Sequence, residues 1–73
     1  MNYNEWAEEY ELNALRVKSV IDRKKLSLND ARLTADSRKR LLDDITAYRR
    51  IYHELAHTAA LLRDRAGAYA GET

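Results

Sequence analysis

The sequence predicts an all-α protein: an antiparallel two-helix hairpin, coiled-coil-like, completed by self-association into a helical bundle. Three observations carry that expectation. There is no proline among the 73 residues, and the only two glycines, Gly67 and Gly71, stand near the end of the chain, so residues 1–66 lack both strong helix breakers. Apolar residues recur in alternating steps of three and four, where a strand would show steps of two. Charged residues make up 34% and apolar residues 45%, a mixture suited to long amphipathic helices.

Helix one is expected from about Tyr3 to about Asn29. On a wheel of about 100° per residue, Tyr3, Trp6, Ala7, Tyr10, Ala14, Val17, Ile21 and Leu28 fall on one stripe close to a heptad seam. A turn follows at about 30–34, in the segment "NDARLT", which holds turn formers but neither Gly nor Pro. One continuous helix is the alternative there. Helix two is expected over about 35–68, with Leu41, Ile45, Tyr48, Tyr52, Leu55, Ala59, Leu62 and Ala66 on one face. Thr34 is the expected N-cap, Asp36 suits the positive end of the helix dipole, and Arg63 and Arg65 suit the negative end. Gly67 offers a stop, leaving a frayed tail over 69–73. A turn centred there makes the helices antiparallel, pairing residues whose numbers sum to roughly 64. Ala14 is then expected at the level of Tyr48 and Tyr52, and Ala7 near Leu55 and Ala59.

A chain of this length forms one small domain, whose core supplies only about 3–5 kcal/mol without a disulfide, a metal or oligomerisation. There is no cysteine, which removes the disulfide route. Apolar residues outside the stripes therefore matter: Leu12, Leu15 and Leu26 on helix one, Ile51 and Leu61 on helix two. The first three lie within about 60° of one another and form a second, thinner stripe. Its expected role is contact with a partner or with a second copy, most simply two hairpins forming a four-helix bundle.

Residues 53–57 read "HELAH", which resembles the His-Glu-x-x-His of zinc metalloproteases. In that family the two histidines ligate zinc and the glutamate acts as general base on the metal-bound water, roles that would fall to His53, His57 and Glu54. The resemblance covers five residues, and the surrounding sequence does not extend it. With Leu41 at zero, the apolar face of helix two centres near 350°, while His53 falls at about 120° and His57 at about 160°. Asp64 shares their face but lies about 10 Å further along the axis, too far to close on the same ion. No segment reads as the strand that would line a substrate cleft. The protease roles are therefore not carried over, and no metal or cofactor is assigned.

Other chemistry is sparse. No serine has the glycine context of a nucleophile elbow, no Gly-rich loop could cradle phosphates, and the adjacent carboxylates of Asp43 and Asp44 diverge around the helix. Charge is unevenly spread within a net +1: residues 1–15 hold four Glu and no base, and residues 16–50 hold eleven Lys or Arg against five Asp. The runs Arg23, Lys24, Lys25 and Arg38, Lys39, Arg40 flank the turn, forming a basic tip diluted by nearby acids and by helical pairs such as Asp36–Arg40.

These features point to a non-enzymatic interaction module, adaptor or inhibitor that binds a protein partner and forms a homo-oligomer, most simply a dimer. Leu12, Leu15, Leu26, Arg23, Lys24, Lys25, Arg38, Lys39 and Arg40 are the expected contact residues. A nucleic-acid-associated protein using the basic tip is the runner-up. A zinc-binding or metalloprotease-like protein through His53, Glu54 and His57 ranks third. With no apolar run near the roughly 18 residues that span a bilayer and no signal-peptide pattern, a cytoplasmic location is expected.

Overall fold

The computed structural model describes the backbone from Asn2 to Gly71 and side chains as far as Ala68. Two helices, α1 (Tyr3–Ser27) and α2 (Ala35–Gly71), pack side by side as a hairpin measuring 60 × 15 × 14 Å. There is no strand among the described residues. No helix is long and apolar enough to cross a membrane.

Local chemistry places the helix starts. Asn2, in an extended conformation, accepts a hydrogen bond through Oδ1 from the Glu5 N–H at 2.8 Å, capping α1. Glu5 sits at the positive end of the helix dipole, and Lys24 and Lys25 occupy the last turn at the negative end. Thr34 caps α2 as expected: its Oγ1 accepts from the Ser37 N–H at 3.1 Å, and its carbonyl accepts from the Arg38 N–H at 2.9 Å.

The turn differs from expectation in its geometry. The α1 helix ends at Ser27, two residues early, but the chain does not reverse there. The amides of Leu28, Asn29 and Asp30 donate to the carbonyls three residues back, at 3.1–3.2 Å. This tighter winding rises about 2.0 Å per residue and carries the chain further along the α1 axis. Asp30 then ends the run, because its Oδ1 accepts from the Arg32 N–H at 3.0 Å and offers the backbone an alternative to helix. Across the seam Arg38 meets Leu28, Lys24 meets Asp44, and Arg63 meets Asn4 and Glu11, pairs whose numbers sum to 66–74 rather than 64. The shift moves Ala14 away from Tyr48 to a hollow shared with Tyr52, Ala56 and Ala59.

The far end of α2 also departs from the sequence reading. Gly67 does not stop the helix, and no glycine with positive φ is found among the described residues. The backbone stays helical through Gly71, so only residues 72–73 of the expected frayed tail lie outside the described residues.

The core is thin. Ala7, Ala14, Ile21, Ile45, Ala59 and Leu62 are the buried apolar residues among those described, and half of them are alanine. Small side chains let the helices approach closely, and Ile21, Ile45 and Leu62 supply the larger buried side chains. Tyr3, Tyr10, Val17, Leu28, Leu41, Tyr48, Tyr52, Leu55 and Ala66 are half-buried along the seam. Trp6 is the exception to the expected stripe: it is 43% exposed, with its indole stacked on the Tyr3 ring at 6.5 Å.

Candidate functional site

The hairpin offers five surfaces: the outer sides of α1 and α2, two flanks along the seam, and the tip. On the outer side, Leu12, Leu15 and Leu26 are 50%, 60% and 70% exposed. On the wheel Leu12 lies nearly opposite the column of Ala7, Ala14 and Ile21, Leu26 about 120° from it and Leu15 about 100°. Leu15 thus stands at the edge of this side and also borders a seam hollow with Tyr52, Ala56 and Ala60. Leu61 and Ile51 are exposed as expected, and Leu42, absent from the sequence expectation, joins them.

One flank is strapped by polar groups. Arg63 donates to Asn4 Oδ1 at 3.1 Å and to Glu11 Oε1 at 2.6 Å, crossing the seam near the terminal end. Towards the tip on this flank, Lys18, Lys25, Arg49 and His53 surround a hollow floored by Ile21 and Tyr52, with Asp22 as its only carboxylate. Three cations, Lys18, Lys25 and Arg49, in one hollow repel each other and favour hydration over close apolar packing.

The opposite flank is mixed, with Trp6, Val20 and Ile51 set among Asn13, Arg23, Lys24, Ser27 and Asp44. Trp6, Asn13 and Val20 follow one another at seven-residue steps on α1, two turns apart. On α2, Asp44, Ile51 and Thr58 do the same. Val20 lines a hollow with Lys24 and Tyr48, and Lys24 pairs with Asp44 at 3.4 Å, which places both columns on this side. Ile51 is 43% exposed, as Trp6 is, and Val20 and Thr58 are half-buried. The Thr58 hydroxyl donates back to the Glu54 carbonyl at 2.9 Å, so it makes little polar demand on this surface. The sequence reading missed this flank because it assigned Trp6 to the intramolecular core. The available signal was the Trp6–Asn13–Val20 repeat beside the Ala7–Ala14–Ile21 column.

At the tip, the six expected contact cations do not act as one cluster. Lys24 is half-buried, paired with Asp44, and held 5.5 Å from the centroid of the Tyr48 ring. Arg38 Nη1 donates to the Leu28 carbonyl at 3.2 Å, satisfying backbone at the end of α1. Arg23 lines the hollow beside Val20 and Tyr48, Lys25 the basic one on the other flank, and Lys39 and Arg40 are exposed on the first turns of α2. The expected Asp36–Arg40 ion pair is not formed; the described ion pairs are Lys24–Asp44, Arg32–Asp30 and Arg63–Glu11.

His53 and His57 are both exposed, and His53 packs edge-on against Tyr52 with ring centroids 5.6 Å apart. Among the described residues, no group of three His, Cys, Asp or Glu side chains is placed to hold a metal ion.

Fold and surfaces together define an all-α helical hairpin with its chemistry on its outer faces. Compared with protein-family models, curated proteins and solved structures, the chain matches none at a significant level.

Proposed function

We propose that this chain is a non-enzymatic helical interaction module, an adaptor or inhibitor that docks on a protein partner and pairs with a second copy of itself. The observation that carries the reading is the outer side of α1, where Leu12 and Leu26, with Leu15 at its edge, stand at least half exposed away from the buried column of Ala7, Ala14 and Ile21. A single exposed leucine is ordinary, but three along one side of one helix form a stripe of the kind that enters a partner's apolar groove. Lys25, Lys39 and Arg40 border this region or the tip and favour a partner with an acidic rim.

The test is affinity capture by the intact chain beside a triple variant carrying Leu12→Asp, Leu15→Asp and Leu26→Asp. A specific protein retained in stoichiometric amount by the native chain and released by the variant, with helicity equal by circular dichroism, is the expected result. Identical retention by both chains would remove the leucine stripe from the reading. The nucleic-acid alternative draws on the basic balance of residues 16–50. It is weakened by the structural engagement of Lys24 and Arg38. Absence of duplex binding at low salt would exclude it, since phosphate contacts are strongest there.

A further inference from the structure

We infer that two copies pair across the flank of the hairpin that carries Trp6 and Ile51, not across the leucine stripe, and that they run antiparallel with their tips at opposite ends. The inference deepens the self-association part of the proposed function and is independent of its protein-partner part.

Exposed bulk selects the flank. The other flank has an apolar hollow lined by Leu15, Ala56 and Ala60, but Glu11 and Arg63 of the strap border it. Lys18, Lys25 and Arg49 ring the next hollow towards the tip. The flank opposite presents Trp6, Val20 and Ile51, with Asn13 and Asp44 in the same columns, over half-buried Val17, Tyr48 and Leu55. Its residues lie in columns beside the intramolecular seam, which is where a four-helix bundle places its second set of core positions. Leu12, by contrast, lies almost opposite α2, so a copy seated there would leave Trp6 and Ile51 in water.

Charge selects both occupant and direction. Along the rod, α1 begins with Glu5, Glu8, Glu9 and Glu11 and becomes basic from Arg16 onward. A parallel pair would bring two basic tips together and two acidic starts together. Turning one copy end for end about a two-fold axis near Asn13 lays α1 along its own copy in the opposite direction. Trp6 then meets Val20 of the second copy, and Glu9 and Glu5 stand within about two residues of the level of Arg16 and Arg23. The surface is thus complementary to itself only when reversed. Asn13 meets its own copy on the axis, where a pair of amides can exchange hydrogen bonds and set register, as buried asparagines do in coiled coils.

Two measurements test this on the full chain. Light scattering against concentration should show the 8.5 kDa mass doubling. Ile51→Glu and Val20→Glu should each hold the protein at single mass with helicity retained, and Leu12→Glu/Leu15→Glu should leave the doubling intact. For direction, the cysteine-free chain takes single cysteines. Asn13→Cys should form a disulfide-linked pair under mild oxidation, whereas Ser27→Cys, about 40 Å from its copy in the reversed pair, should not. Equal cross-linking at both positions would overturn the antiparallel direction. A doubling lost with Leu12→Glu/Leu15→Glu but kept with Ile51→Glu would overturn the face. Single mass at every concentration would overturn the pairing itself, leaving the leucine stripe to be judged by partner capture alone.

Discussion

Half of the buried core is alanine, so the apolar free energy of the fold is concentrated in Ile21, Ile45 and Leu62. Truncating Ile45 to alanine deletes buried methylenes and leaves a cavity, at an expected cost of about 2–4 kcal/mol. Against a core worth about 3–5 kcal/mol, that loss should bring the chain close to its unfolding midpoint at room temperature. Far-UV circular dichroism during urea titration measures it. Leu61→Ala, at an exposed position, should change stability by no more than about 0.5 kcal/mol in the same assay. Residue burial was largely legible in the sequence, since every residue of the α2 stripe is buried or half-buried. Trp6 was not, and the reason is geometric. It lies at the edge of the α1 stripe, about 60° from its centre, and a single neighbouring helix covers too narrow an arc to bury an indole there. The runs of basic residues misled for a related reason. Arg23, Lys24 and Lys25 are consecutive, so successive steps of about 100° send them to different surfaces.

At the scale of the helix, existence and start positions follow from local chemistry, and stops do not. Thr34 could be read as a cap because a hydroxyl before "ADSR" satisfies an amide that would otherwise lack a partner. The end of α1 has no glycine to mark it, and its tighter winding over 28–30 runs until the Asp30 side chain takes the Arg32 amide. That winding shifts the register of the whole hairpin, which no periodicity argument detects. Gly67 shows the reverse error. A glycine near a helix end is a common stop, but here the backbone passes through it in helical conformation with open space around its α-carbon. Gly67→Ala should therefore stabilise α2 by about 0.5–1 kcal/mol, because the added methyl meets nothing and the unfolded chain loses freedom. A rise in thermal midpoint checks this; a fall would mean that residue 67 needs a conformation or clearance the helix does not show.

On the scale of the whole molecule, the hairpin is a rod. Its radius of gyration over Cα atoms is 17.0 Å, whereas a compact domain of this length would have about 11 Å. Small-angle scattering of the single chain should return a value near the larger figure, and a side-by-side antiparallel pair should add little to the 60 Å length. An end-to-end pair would nearly double that length, so the same curve distinguishes the two assemblies. One consequence concerns the orientation of the peptide planes. Both helices run along the long axis, so nearly every backbone N–H bond in α1 and α2 is aligned with the rod, pointing one way or the reverse. In weakly aligned solution, residual dipolar couplings do not distinguish a bond from its reverse. The two helices would thus report one sign and similar magnitude, while the amides of 28–34, where the chain turns, scatter away from it.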